Sequence, residues 1–259
     1  MGQVTLSFVV PAYNESAYIE TALISLDDMV KPKKLLYEVV VVDDGSKDDT
    51  LSKAREYANR NEHVKIITYN KNRGKGHAIQ AGFMQTTGDV VVFVDSDRDI
   101  DVSIISSYVE ALKHGDIAIA SKWHPDSVVE MPMVRKVMSH SFNVLVRLLV
   151  GIPFKDTQAG LKAMRREAFE NIFPKLTVKR YAFDVELLAV AKFYGLKVVE
   201  MPTRLNIESS FKFKDVLKML MDLLGIAYRL RCIHWYQRPI NTKNGLQNFI
   251  SIINRDTDQ

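Results

Sequence analysis

The chain has 259 residues, 47% hydrophobic and 25% charged, which excludes a disordered or fibrous protein and leaves an ordinary globular one. A net charge of +4 allows attraction to phosphates or an anionic surface, and no nucleic-acid partner is expected. A single cysteine, Cys232, excludes an internal disulfide and fits a reducing compartment. No run of about 18 apolar residues predicts a membrane span, and no leader-like segment precedes the first strand.

Strands and helices alternate through the first hundred residues. "VTLSFVV" (4–10) predicts a strand, 15–29 a helix, "YEVVVV" (37–42) a strand and 47–60 a helix. "VKIITY" (64–69), a helix over 75–86 and "DVVVFVD" (89–95) continue the pattern. Unbroken Val/Ile/Phe runs mark strands covered on both faces, and strand–helix alternation predicts a mainly parallel, doubly wound sheet. Beyond these come a strand at 116–121, helices at 130–150, 158–173 and 183–195, a strand at 196–205 and an amphipathic helix at 211–231. Gly195 is the expected stop of its helix.

Ligands of such sheets lie beyond the carboxyl ends of the strands. "PAYNE" follows the first strand, "DDGS" the second and "DSD" the fourth, so three polar clusters converge on one edge. "DSDRDID" (95–101) carries Asp95, Asp97, Asp99 and Asp101 at alternate positions. Their positive partner is a divalent cation, Lys/Arg side chains, or solvent around an open loop. Two carboxylates one residue apart can share Mg2+ or Mn2+, with substrate phosphates completing the shell. In "NKNRGKGHA" two glycines and two cations, Arg73 and Lys75, precede a helix whose first amides favour phosphate, without the spacing of a known phosphate fingerprint.

Together "VVPAYNE", "VVVVDDGSKDDT", "NRGKGHAIQAG" and "GDVVVFVDSD" resemble the large inverting glycosyltransferase family with the GT-A fold, which uses nucleotide-activated sugars. "ASKWHPDS", "VRKVMSHSFN", "DTQAGLKAMRREAFENIF" and "YAFDVELLAVAKFYGLKVVEMPTRLN" are similar to its branch that makes dolichyl- or polyprenyl-phosphate glucose and mannose. The resemblance runs from about residue 4 to 231. It implies a GT-A domain over 1–207, a mixed and mainly parallel sheet flanked by helices. A C-terminal amphipathic helix and polar tail occupy 208–259.

The resemblance also implies roles. Pro11, Ala12, Tyr13 and Glu15 line the base and ribose pocket, and Asp44 accepts from the base. Arg73, Lys75 and Ser96 belong to the donor site. Asp97 holds Mg2+ or Mn2+ with Asp95 nearby, and Asp99 stands where a glutamine is common. Asp184 takes the position of the family's base, with a positioning or helix-capping role as the alternative for it and Glu186. Lys122, Arg135 and Ser139 face the anionic acceptor, Asp156, Thr157 and Gln158 shape the sugar pocket, and Arg204 and Lys212 cover the nucleotide.

The implied donor is a UDP- or GDP-hexose and the implied acceptor dolichyl or polyprenyl phosphate. The competing reading is a soluble transferase that acts on a sugar hydroxyl in polysaccharide synthesis, with Asp184 then an obligatory base. A lipid acceptor implies a membrane surface, or an integral membrane partner, and a peripheral position on the cytoplasmic face. Apolar stripes over 134–149 and 211–231, flanked by basic residues, are the candidate contacts; packing on the protein's own core is their alternative.

Overall fold

The structure, a computed structural model, describes residues 5–33, 35–96, 101–207 and 213–238, with side chains omitted at 213–215. In chain order the first half runs β1 (Thr5–Ala12), α1 (Ile19–Val30), β2 (Leu36–Asp43), α2 (Thr50–Ala58) and β3 (Val64–Thr68). It continues with α3 (Lys75–Phe83), β4 (Val90–Phe93), α4 (Ile105–Ala111), β5 (Ile117–Ala120) and β6 (Val128–Glu130). The second half adds α5 (Met133–Val150), β7 (Lys162–Arg165), α6 (Arg166–Ile172), α7 (Phe183–Phe193), β8 (Val198–Met201), β9 (Arg204–Asn206) and α8 (Phe213–Arg231).

Seven strands form one sheet in the order β3-β2-β1-β4-β7-β5-β8, and β6 pairs with β9 in a two-stranded ribbon. Among the described strands of the large sheet, only β7 runs antiparallel to its neighbours. The apolar runs explain the layering. Successive residues of a strand point to opposite faces, so Val9 joins the apolar cluster beneath α3 and α7, while Phe8 and Val10 join the one beneath α1 and α2. Each buried Val, Leu or Ile contributes roughly 1.5–3 kcal/mol by leaving water. The strand order reverses between β1 and β4, and such a switch point opens a crevice at the strand ends.

Two expected elements are corrected. The single strand expected at 196–205 is divided, with β8 in the large sheet and β9 in the ribbon with β6. Residues 158–173 do not form one helix: an irregular stretch at 158–161 leads into the strand β7 and the short α6. The segment "LKAMRREAFENI" carries good helix formers throughout, so its local preference favours a helix. Tertiary pairing overrides it, because β4 and β5 each present a free edge that β7 fills. The expected stop of α7 is present, with Gly195 at φ +73°, a left-handed conformation glycine adopts without strain.

Candidate active site

The ends of β1, β2 and β4 converge on a cleft of about 910 Å³. From β1 and its turn it receives Pro11, Ala12, Tyr13 and Glu15, from β2 Asp44, and from β4 Asp95 and Ser96. Across it stand Lys75, Lys122, Gln158 and Asp184, and Arg135 and Ser139 on one face of α5. Chain segments far apart in sequence are tied to make this edge. Ser96 Oγ donates to the carbonyl of Pro11 at 3.0 Å, and the Glu15 amide donates to Thr50 Oγ1 at 2.8 Å. Asp43 accepts from the Ser46 amide and from Thr68 Oγ1, bracing the turn that presents Asp44.

Three expected site residues, Asp97, Asp99 and Lys212, lie outside the described residues. Arg204 is not brought to the cleft. It is exposed on β9 and its guanidinium lies 3.6 Å from Asp101. Arg73 does not line the cleft either; its amide and that of Gly74 donate to the two oxygens of Asp44, at 2.8 and 2.7 Å. These two amides before α3 therefore clamp a carboxylate of the protein's own. Burial raises the pKa of Asp44 and outweighs the two amides, which lower it.

Among the described residues, the partner of Asp95 is a lysine. Lys75, at the first residue of α3, places Nζ 2.7 Å from Asp95 Oδ1 and 2.8 Å from Oδ2. The same ammonium lies 3.6 Å from Asp184 Oδ2. Asp184 Oδ1 is 2.8 Å from Nζ of Lys162, a fully buried lysine on β7. Four charges thus alternate in sign: Asp95, Lys75, Asp184, Lys162. Burial pushes the Asp184 carboxyl up, and Lys162 and Lys75 outweigh it, leaving its pKa below the ordinary carboxylate value. Gly160 makes room for this arrangement: a Cβ there would lie 2.0 Å from Asp95 Oδ2.

A second buried pair sits alongside. Lys122 Nζ lies 2.7 Å from Asp156 Oδ2, and the Lys122 amide donates to the same oxygen. Burial raises the Asp156 pKa, but Lys122 dominates and the net shift is downward. Asp156 and Thr157 are buried supports, so of the expected sugar-pocket residues only Gln158 lines the cleft. Glu186, two residues after Asp184, is structural. It accepts from the amides of Thr177 and Val178, from Thr177 Oγ1 and from Tyr236 Oη.

The amino-acid pattern did not point to Lys162, Gly160 or the Arg180–Asp222 pair (2.5 Å) that joins the cleft's edge to α8. A lysine within an otherwise apolar strand is a signal only when the strand itself is recognised.

Both α5 and α8 carry two apolar faces. Val146 and Val150 of α5 and Met219, Leu223 and Ile226 of α8 are buried. Opposite them lie Met133 (73% exposed), Val137 and Leu148 (66%), and Leu217, Met221 (62%) and Tyr228. Between these faces the cleft wall is apolar, made by Met131, Met138, Phe142, Ile207 and Met219. Among the described residues no helix is long and apolar enough to cross a membrane.

Comparison with known proteins accords with this geometry. The family model described as "Glycosyl transferase family 2" matches residues 7–173. The chain is 35% identical over 249 residues to a dolichyl-phosphate β-glucosyltransferase of Homo sapiens, covering 89% of this chain and 77% of that protein. It is 32% identical over 257 residues to the Saccharomyces cerevisiae protein of the same name, covering 88% and 76%. Glucosyl-3-phosphoglycerate synthase from Mycobacterium tuberculosis, solved with Mn2+, UDP-glucose and phosphoglyceric acid, superposes with a TM-score of 0.64. That match has 21% identity and covers 92% of this chain and 81% of that one, a likeness of fold. The strand-end cleft of a mixed α/β sheet, the matched motifs and these relatives together establish that the chain is a glycosyltransferase of GT-A fold belonging to glycosyl transferase family 2.

Proposed function

We propose that the protein transfers glucose from UDP-glucose to dolichyl or polyprenyl phosphate, with inversion at the sugar carbon, at a membrane surface. The observation that carries this reading is the two-sided cleft. Its polar end holds Asp44, Lys75, Asp95 and Gln158, and its other wall, from α5 and α8, is apolar and adjoins exposed apolar side chains. One end suits a nucleotide sugar and the other a lipid. The names of the relatives favour glucose and dolichyl phosphate over a GDP-mannose donor.

A divalent cation fits the polar end. Mg2+ and Mn2+ take oxygen ligands and need only one or two protein carboxylates when substrate phosphates supply the rest. Asp95 offers a partly buried carboxylate on the cleft wall. Among the described residues no three potential ligands cluster, so Asp95, with Asp97 and Asp99 as the further candidates, would hold the ion. Bound there, it supplies Lewis-acid stabilisation of the departing diphosphate.

The remaining work falls to the chain's own residues. Tyr13 and Asp44 receive the base and ribose. Lys75, on the first turn of α3, adds positive charge where the leaving group becomes more negative. The acceptor phosphate has a second pKa of about 6 and arrives as an anion. It therefore needs positioning beside Arg135 and Ser139 more than deprotonation. The exposed apolar side chains of α5 and α8, with Lys136, Arg147 and Arg231 nearby in sequence, are the proposed contact with the cytoplasmic membrane face.

The test is a transfer assay with purified protein, labelled UDP- and GDP-sugars and polyprenyl phosphate, with and without Mn2+. Label passing into an organic-soluble, acid-labile product only with the cation is the expected result. Transfer solely to water-soluble sugars overturns the reading.

A further inference from the structure

Lys162 has no counterpart among the expected site residues, yet it is the most deeply placed cation near the cleft. It is 2% exposed, in the strand β7 between β4 and β5, with Phe93 and Ile119 as its register partners. Its ammonium donates to the Ala159 carbonyl at 2.7 Å and meets Asp184 Oδ1 at 2.8 Å. A charge this deep survives only when it is paired. The pairing engages one oxygen of Asp184, and the Lys75 ammonium stands 3.6 Å from the other.

The charged groups facing Asp184 are therefore Lys162 from β7 and Lys75 from α3, while Glu186 on the same helix points into its own contacts with Thr177, Val178 and Tyr236. An efficient base has a pKa near the working pH and a lone pair open to the proton it takes. Asp184 lines the cleft, but Lys162 and Lys75 hold its carboxyl below the ordinary carboxylate value, which disfavours it as a base. What it can do is help to hold Lys75 in place, together with Asp95.

We infer that Lys162, from beneath the cleft, holds Asp184 in place as the anion that orients Lys75 toward the donor site. Lys162 does not line the cleft and is a positioning residue acting through Asp184 and Lys75. The role of Lys162 toward the donor site stands apart from the identity of the acceptor in the proposed function.

The experiment uses Lys162→Met, Asp184→Asn and the double variant in the full chain. Binding of UDP with Mn2+ is measured by calorimetry. Turnover and KM for UDP-glucose are measured separately with polyprenyl phosphate. Each single change is expected to weaken UDP binding and raise donor KM by a factor of about ten, with the double no worse than either, the signature of residues acting as one unit. Asp184→Asn is expected to slow turnover by less than about 10²-fold.

A 10³–10⁴-fold fall in turnover for Asp184→Asn, with UDP affinity intact, makes Asp184 a base and overturns the inference. Wild-type UDP affinity in Lys162→Met overturns it as well. Should a single variant fail to fold, the double variant decides, because it leaves no uncompensated buried charge; a loss of about 10³-fold or more in its turnover refutes the positioning role. Failure of the wild-type protein to use any lipid phosphate sinks the proposed function alone, and UDP binding by Lys162→Met still tests the ion chain.

Discussion

Gly160→Ala perturbs the geometry of the strand-end acid without replacing any charged residue. A Cβ at this position would lie 2.0 Å from Asp95 Oδ2, 2.5 Å from Cγ and 3.0 Å from Cβ of the same residue. Ordinary contact begins near 3.4 Å, so the carboxylate oxygen must move by about 1.4 Å. Asp95 now lies 2.7–2.8 Å from Lys75 Nζ, and a displacement of that size breaks the contact. Misplacing a catalytic group by about 1 Å costs roughly 10²-fold in rate, and kcat/KM for the donor is expected to fall by about that factor. The cost to the fold is expected to be an ordinary one, about 1–2 kcal/mol, because Gly160 has no left-handed backbone to strain and the clash falls on one side chain. For a chain of this size that is a melting shift of a few degrees. Steady-state kinetics and a thermal melt, run together, check both figures. Wild-type kcat/KM in a folded Gly160→Ala protein would refute the claim that Asp95 must occupy this position. A melting temperature lower by about ten degrees or more would refute the claim that Gly160 serves the site and not the fold.

Glu186→Leu removes a fully buried carboxylate that accepts from two amides and two hydroxyls, so it is expected to cost about 3–5 kcal/mol, read as a large drop in denaturation midpoint. An unchanged midpoint would show that Glu186 does not anchor the 177–178 segment to the C-terminal residues. Glu38 accepts from Lys65, Ser7 and Thr87, and although burial pushes its carboxyl up, these partners hold its pKa at about 2, against 4.5 unperturbed. Its stabilisation is present above about pH 4.5 and is lost as the pH falls toward 2. Glu38→Gln should therefore flatten the acid-unfolding curve across that window, and an identical slope in the variant excludes the linkage. Val137→Asp with Leu148→Asp places charge on the exposed face of α5 and is expected to abolish co-sedimentation with anionic vesicles, leaving the melting temperature unchanged. Retained sedimentation moves the membrane contact elsewhere.

Much of the fold was legible because burial on both faces writes itself into a strand as an unbroken apolar run. "SFVVPA" and "VVVVD" could hardly be anything but central strands, and the polar turns after them had to meet at one edge of a parallel sheet. Asp44, Asp95 and Tyr13 followed from that placement. The segment 158–173 did not, because the local preference of "LKAMRREAFENI" is helical and only the open edges of β4 and β5 make four of its residues a strand. Missing the strand meant missing Lys162. The stripes on α5 and α8 were visible as periodicity. Each helix, however, is apolar on two sides, and a hydrophobic period cannot say which side meets the core.

The order of apolar and polar residues by itself determined the α/β architecture and the edge on which the acids gather, while the family came from the resemblance of specific motifs. Tertiary structure alone decided which charge answers which. Lys75 comes from the start of α3, Lys162 from a strand inserted against the grain, and Asp184 from the first turn of α7. Their alternation is a matter of ångströms between distant segments. Coulomb energy depends on separation and burial in space, and neither is encoded in any local stretch of the chain.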